Sequence, residues 1–303
     1  MLARQKNEIE FSGLDKLFFA STGITKGDLI NYYKKIAAVM ILHLRERALT
    51  MHRFPDGIEG EGFYQQEALS YFPSWIERVA IAKKEGGRVT HVVCNNPDTL
   101  LYLANQACVT FHVWLSRVSE PEKPDKMIFD LDPAGGKYRS VVRPARTLKE
   151  ILEKIELPSY LMSTGSKGVH VVVPVMPQWS FDEVRQLARE IAGTLVEKYP
   201  REVTTEQRKK KRDGKLFVDY LRNAFGQSSV APYSIRALPG APVATPLDWE
   251  EFSERTFNPQ KYNINNIIYR LGQKEDPWNN IYASRASLKR ALAEYSLWGG
   301  SLQ

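Results

Sequence analysis

Met127-Ile-Phe-Asp-Leu-Asp-Pro133 sets two carboxylates, Asp130 and Asp132, into a short apolar run. Met127, Ile128, Phe129 and Leu131 read as a buried strand, and strand alternation puts residues two apart on one face. The two acids therefore leave the same face at neighbouring positions, where they repel each other. Burying them uncompensated would be strongly unfavourable. A divalent cation relieves that repulsion, and an all-oxygen donor set suits Mg²⁺ or Mn²⁺. Pro133 and the Ala-Gly-Gly136 behind it stop the strand, so the pair lies at its C-terminal end, where α/β folds often carry their sites. A bare Asp-x-Asp more often marks two solvated acids at a strand end. A second acidic strand, Lys215-Leu-Phe-Val-Asp-Tyr220, strengthens the catalytic alternative, with Asp219 flanked by Arg212 and Arg222. Three carboxylates brought together would form a two-metal site for in-line phosphoryl transfer. Whether the two strands are adjacent is a tertiary question.

The 303 residues suffice for one large domain or two intimate lobes. With 43% hydrophobic and 25% charged residues the composition is that of a soluble globular protein. Lys and Arg number 42 against 35 Asp and Glu, a net charge of +7 and a pI near 9.2. That excess favours a polyanionic partner such as nucleic acid or a nucleotide. Cys94 and Cys108 are too few for a metal cluster and read as reduced core thiols of a cytoplasmic protein. The absence of a charged-then-apolar leader and of a membrane-length apolar run argues against secretion and against a membrane.

Along the chain, Thr25 starts a helix whose apolar face runs through Tyr32, Tyr33, Ile36, Val39, Met40 and Leu44. Residues 49–55 read as a strand that Asp56-Gly57 breaks. Phe63 and Tyr64 follow a glycine-flexed loop, with a short helix expected after them; adjacent aromatics are usually core, but exposed ones can stack on bases. Residues 75–82 and 88–94 form a hairpin with a basic tip at 83–87. Asn96 caps a helix over 99–107, and a strand over 111–115 bears His112. The proline-rich connector 120–125 is the best lobe boundary. A helix over 141–157 and a strand over 160–163 lead into Ser163-Thr-Gly-Ser-Lys-Gly-Val-His170. Its backbone N–H groups and its Ser, Thr and Lys side chains can cradle phosphate. It is not a P-loop, because the Gly-x-x-x-x-Gly-Lys spacing is absent, and a plain hairpin turn fits equally well. His170 suits either a nucleotide contact or a packed strand. Ser180 and Glu183 form a capping-box pattern for a helix over 181–199. In the run 207–215 six of nine residues are basic, a solvated loop or a clamp on a triphosphate or nucleic-acid backbone. Residues 223–232 read as loop, 233–237 as a strand carrying Arg236, and 264–272 and 284–293 as helices.

Taken together, Phe129-Asp-Leu-Asp-Pro133, Ser163-Thr-Gly-Ser-Lys-Gly-Val-His170 and Phe217-Val-Asp-Tyr-Leu-Arg-Asn223 resemble the polymerase domain of bacterial and archaeal ligase D. These are the non-homologous end-joining polymerases of the archaeo-eukaryotic primase superfamily. The motifs keep that family's order and approximate spacing, and the resemblance extends over essentially the whole chain. It implies an α/β (α+β) fold: a core around an RRM-like antiparallel sheet flanked by helices, with an N-terminal α/β lobe. Residues 1–303 would form a single primase-polymerase domain, with 1–120 as DNA-end-binding lobe and 121–303 as catalytic core.

By the same resemblance Asp130, Asp132 and Asp219 would be catalytic and would hold two Mn²⁺ or Mg²⁺ ions. His112 would contact the incoming nucleotide, often at its ribose 2′-hydroxyl. Thr164, Lys167, His170, Arg212 and Arg222 fall at triphosphate or active-site positions, and Arg236 at a further basic one. Where the family often has serine this chain has Thr164, whose extra methyl alters the fit. In the N-terminal lobe Lys16 and Lys26 would hold a 5′-phosphate, and Phe63 and Tyr64 would stack on a template base. Arg53 would lie on the DNA path, and the tip 83–88 would help two broken ends meet.

The implied activity is nucleotide addition, ribonucleotides preferred, to 3′ ends at double-strand breaks and short gaps bearing a 5′-phosphate, with some template-independent addition. Implied partners are gapped and broken DNA, NTP and dNTP, Ku, a DNA ligase and a phosphoesterase, in a cytoplasmic, nucleoid-associated protein. The rivals are a primase acting de novo, a metal-dependent nuclease and a non-catalytic end-bridging module. Lys211-Arg-Asp-Gly214 spells the adenylation motif of ligases, but nothing around it resembles a ligase domain, so it reads as a coincidental loop.

Overall fold

The computed structural model describes residues 7–253 and 255–297, so the outermost residues of the expected 1–303 domain lie outside it. The chain enters through a two-stranded ribbon, β1 (Leu17–Phe19) and β2 (Ile24–Thr25), that leads into α1 (Lys26–Leu44). Thr25 caps α1: its hydroxyl accepts from the Asp28 N–H, and the Asp28 carboxylate accepts from the Thr25 N–H. Leu29, Tyr33, Ile36, Met40 and Leu44 form the buried face. Both tyrosines of that face are core, with their hydroxyls donating to Tyr233 O and Val109 O. β3 (Leu49–Arg53), β4 (Phe63–Gln65) and the hairpin β5 (Arg78–Ala82) and β6 (Arg88–Val92) follow. Then come α2 (Pro97–Asn105), capped by Asn96 and packed on α1, and β7 (Cys108–Trp114).

The second half opens with β8 (Lys126–Asp132), then α3 (Val142–Lys154), β9 (Tyr160–Ser163), β10 (Val169–Pro174) and α4 (Phe181–Lys198), whose Ser180–Glu183 capping box forms as expected. β11 (Val203–Thr204), β12 (Leu216–Asp219), β13 (Ser228–Val230) and β14 (Thr245–Leu247) precede α5 (Ile267–Gln273) and α6 (Leu288–Leu297). Six of these strands form one sheet in the order β11-β12-β8-β10-β9-β14, antiparallel except for β11 beside β12. The other main sheet has the order β13-β7-β3-β4 and is antiparallel throughout.

Alternation along β8 sorts its residues between two cores. Met127, Phe129 and Leu131 pack with Leu148, Ile151 and Leu152 of α3 and Leu187 and Ile191 of α4. Ile128, on the opposite face, packs with Leu115, Met162, Val172 and Val230, which join the six-stranded sheet to the four-stranded one. Asp130 and Asp132 share that second face and so emerge between the sheets. A buried ion pair locks the connector ahead of β8: an Arg47 guanidinium nitrogen lies 2.6 Å from Asp125 Oδ2, and the same side chain donates to Trp114 O and Ser116 O.

Four expectations need correction. No helix follows Tyr64; the chain runs through turns and a single bridge from Glu67 to His91. Residues 233–237 are not a strand, because Tyr233 adopts a φ of +65° and only Ile235 bridges, to Val243. Within the stretch read as loop, Ser228–Val230 is β13, since β7 offers it an unpaired edge. The last helix starts at Leu288 and ends at Leu297, displaced from 284–293.

The division at 120 is also not a clean cut, because β13 belongs to the sheet built from the first 114 residues and Ala231, Tyr233 and Val243 to the same core. Cys94 and Cys108 are buried and unbonded to each other. Among the described residues no helix is long and apolar enough to cross a membrane.

Candidate active site

Three strands set the centre of the site. Asp130 on β8 is the direct partner of Asp219 on β12 to one side and of His170 on β10 to the other. One row therefore carries acid, acid and imidazole, with Asp132 two residues along. His170 Nε2 lies 3.5 Å from Asp130 Oδ1. Arg222 Nε reaches both acids, at 3.5 Å from Asp130 Oδ2 and 3.4 Å from Asp219 Oδ2. Local structure aims that arginine: Asp219 Oδ1 accepts from the Leu221 N–H, turning the chain sharply after β12. Buried Asn223 then pins the turn to β8, accepting from the Ile128 N–H and donating to Ile128 O.

The acids are electrostatically unequal. Burial and the charge of Asp130 push Asp132 up to about 6. Burial raises Asp219, and Asp130 adds to it against the pull of Arg222. Burial alone would raise Asp130 too, but His170, Arg222 and Arg236 outweigh it and hold it low. Among the described residues no three acidic, imidazole or thiol groups close around one point as metal ligands, and the Arg222 guanidinium spans Asp130 and Asp219. The chemistry of the donor set nevertheless fits a hard divalent cation: three neighbouring carboxylates, two of them raised by burial and by the charge of Asp130.

The loop joining β9 to β10 comes against the acids. Thr164 draws it shut, its N–H and hydroxyl donating to Gly168 O and its hydroxyl accepting from Ser166 and Gly168 N–H. Gly168 allows the close approach to β8, since a Cβ there would stand 1.9 Å from Leu131 O, between the two aspartates. Gly165 supplies the left-handed turn at φ +66°. Arg236, from the loop where a strand was expected, donates to Thr164 O at 2.9 Å and closes the far side.

A cavity of about 440 Å³ lies between the sheets. From the six-stranded sheet and its loops it is lined by Asp130, Asp132, Thr164, Lys167, His170, Arg222 and Arg236. From the four-stranded sheet and its loops come Tyr64, His112 and Thr50, with residues 226–230. Burial, followed by Arg236, His52, Arg222 and His170, pulls the His112 imidazole down to about 3, so it is neutral. Its Nε2 is buried without a hydrogen-bond partner, as is Nδ1 of His170. Tyr64, 62% exposed, stacks on His52 with ring centroids 4.0 Å apart and stands edge-on to His112.

Six of the expected residues are not in the lining of this cavity: Asp219, which pairs with Asp130 across β12 and β8, and five others. Arg212 rests on the Phe217 ring at 3.5 Å, its guanidinium donating to Glu206 O and Gln207 O, though its charge still pulls on Asp219. Lys16 pairs with Asp56 at 2.7 Å, and Lys26 donates to Ser12 O. The two lysines are neighbours at the α1 N-terminus, where the Lys26 N–H donates to Lys16 O, and burial followed by the charge of Lys16 lowers the Lys26 ammonium. Arg53 is buried, donates to Gln106 O and Gln65 Oε1, and lies under the half-exposed Phe63 ring. It props an aromatic rather than projecting outward. Sequence reasoning missed Thr50, Ser228 and Ser229. Thr50 was recoverable from strand alternation with His52, whereas the two serines lay in a stretch without periodicity.

Residues 25–278 match the family described as LigD, primase-polymerase domain. The bifunctional non-homologous end joining protein LigD of Bacillus subtilis is 31% identical over 277 residues, covering 91% of this chain and 44% of that protein. The multifunctional LigD of Mycolicibacterium smegmatis is 32% identical over 249 residues, covering 81% of this chain and 32% of that one. The chain thus spans less than half the length of these relatives. The solved polymerase domain of Mycobacterium tuberculosis ligase D in complex with DNA superposes with a TM-score of 0.87 at 28% identity, over 93% of this chain and all of that one. That match agrees with the mixed α/β fold.

Proposed function

The chain belongs to the LigD primase-polymerase domain family, and from that premise we propose that it adds nucleotides to DNA 3′ ends at double-strand breaks and short gaps bearing a 5′-phosphate. Ribonucleotides are the preferred substrates, with some template-independent addition. The observation carrying this reading is the row Asp219–Asp130–His170 with Asp132 beside it, of which Asp130, Asp132 and His170 line a cavity together with Lys167, Arg222 and Arg236. Acids with cations close beside them match a triphosphate presented to a hydroxyl nucleophile.

Asp130, Asp132 and Asp219 would hold Mn²⁺ or Mg²⁺. When bound, the metal lowers the pKa of the primer 3′-hydroxyl and neutralises charge on the triphosphate and departing pyrophosphate. Lys167 and Arg236 bind and orient the phosphates from the β9–β10 side, with backbone N–H groups of that loop adding donors. His170 and Arg222 keep Asp130 ionised. His112, neutral and unpartnered at Nε2, takes the sugar, and Tyr64 offers a ring face to a base. Lys16 and Lys26 form the anion site for a 5′-phosphate, Arg53 props Phe63 against a template base, and Arg212 contributes at the edge. DNA binding is supported by the solved relative, which is described in complex with DNA. Ku, a DNA ligase and a phosphoesterase are the proposed partners, in keeping with the relatives' naming as end-joining proteins.

Primer extension on a gapped duplex with Mn²⁺ tests the reading, comparing NTP with dNTP and a 5′-phosphate with a 5′-hydroxyl. Faster, phosphate-dependent NTP addition is expected. Phosphate-dependent binding without extension would instead make the chain an end-bridging module. Synthesis on unprimed single strands would make it a primase, and loss of labelled ends without NTP a nuclease.

A further inference from the structure

We propose that Thr50 reads the sugar of the incoming nucleotide, its hydroxyl pairing with His112 to receive the ribose 2′-hydroxyl. The inference rests on the nucleotide-addition reading and adds a specificity residue to it. Thr50 is 4% exposed, and its Oγ1 is buried without a hydrogen-bond partner, as is His112 Nε2. Buried polar atoms nearly always find partners, so an orphaned pair at one spot calls for a ligand group.

The two orphans are neighbours by construction. Thr50 on β3 and His112 on β7 are direct cross-strand partners, which puts their Cβ atoms about 4.5–5.5 Å apart on one face. Both line the cavity. Across β7, His112 is flanked by Val230 of β13, an apolar neighbour that supplies no competing side-chain partner.

The chemistry of the pair suits a hydroxyl. A neutral imidazole nitrogen is a donor or an acceptor according to tautomer, and a threonine hydroxyl rotates to be the complement. A sugar hydroxyl, which donates once and accepts, satisfies both atoms in either tautomer. A phosphate oxygen only accepts, and the cations that would meet it stand on the loops of the other sheet. Two residues along β3, on the same face as Thr50, His52 carries the stacked Tyr64 ring. The Tyr64 ring and the hydroxyl reader thus line the cavity from the four-stranded sheet, with Lys167 and Arg236 lining it from loops beside the other sheet.

The test is single-nucleotide addition of ATP and dATP opposite dT in a gapped duplex with Mn²⁺, for wild type, Thr50→Val and Thr50→Ser. Thr50→Val keeps the shape and removes the hydroxyl. It should reduce the ATP-over-dATP preference in kcat/KM by about five- to tenfold, chiefly through the KM for ATP. Thr50→Ser should retain the preference. Should the valine not be accepted by the fold, Thr50→Ala gives the same readout. Equal losses for ATP and dATP, or an unchanged ratio in the valine or alanine variant, would overturn the assignment. So would a wild type that extends without preferring ATP. A wild type that extends with neither nucleotide would overturn the nucleotide-addition reading beneath it.

Discussion

Asp125 and Asp132 stand at opposite ends of one strand, and the fold treats them in opposite ways. Asp125, just ahead of β8, is 1% exposed, yet Arg47, Lys126 and Arg117 outweigh the effect of burial and hold its carboxyl below the usual range. Asp132, at the far end, is pushed up to about 6 because burial and Asp130 both disfavour its charge. The first is a closed ion pair that joins the connector to the four-stranded sheet. The second belongs to a cluster whose repulsion is left standing between the two sheets. A fold that compensates the charge of one buried acid and leaves charges at the other end in conflict marks that end as the place where a ligand completes the structure.

The contrast can be broken most sharply through activity. Asp130→Ala or Asp219→Ala should lower nucleotide incorporation by about a thousandfold or more with the circular dichroism spectrum retained. Near-normal incorporation by either folded variant would end the assignment of these acids to catalysis. At the structural end, Arg47→Met should leave Asp125 buried with, among the described residues, only Arg117 Nε, 3.2 Å from its Oδ2, as an ion-pair partner. It should destabilise the protein by up to about 3–5 kcal/mol in urea unfolding. A change below about 1 kcal/mol would show that the pair is not what holds the connector.

A smaller effect sharpens the comparison through pH. Because the folded-state pKa of Asp132 is raised, its contribution is fully present below its unfolded value of 3.8 and is lost as pH rises through about 6. Asp125, lowered in the fold, does the reverse: its contribution is present above its unfolded value and is lost as pH falls through the folded one. In chelator-treated protein, Asp132→Asn should therefore be more stable than wild type at pH 8, by up to about 2 kcal/mol, and similar to it near pH 4. A variant no more stable than wild type at pH 8 would mean that burial and Asp130 together do not disfavour the charge of Asp132. The smallest effect concerns the distant lysine pair. Lys16→Ala and Lys26→Ala should weaken binding of 5′-phosphorylated ends by about three- to tenfold more than of 5′-hydroxyl ends. Equal losses would reduce both lysines to general backbone contacts.

Much of this was legible in local patterns. Thr25 with Asp28 and Ser180 with Glu183 announce their helices because a capping box lies within four residues. The alternation of β8 placed Asp130 and Asp132 on one face before any contact was known. The segment 233–237 was misread because its β-branched and aromatic residues resemble a strand, while Tyr233 is forced to positive φ by packing in the N-terminal core. Ser228 and Ser229 gave no periodic signal because an edge strand of three residues takes its form from β7. For Arg53, expected on the DNA path, nothing in the sequence announced the hydrogen bonds to Gln106 and Gln65 that hold it beneath Phe63.

By itself the sequence determined the elements that carry the chemistry: the acidic strands, the glycine-rich turn before His170, the basic residues around Asp219 and the family they spell together. Hydrophobic period, capping and turn chemistry act over a few residues and can be read from them. Tertiary structure alone decided that Asp219 stands opposite Asp130, that Arg222 spans the two, and that Thr50 and His112 face the same cavity with unpartnered atoms. These relations join residues far apart in the chain. Their register is set by which strand edges pair and which faces bury, terms that only the folded whole contains.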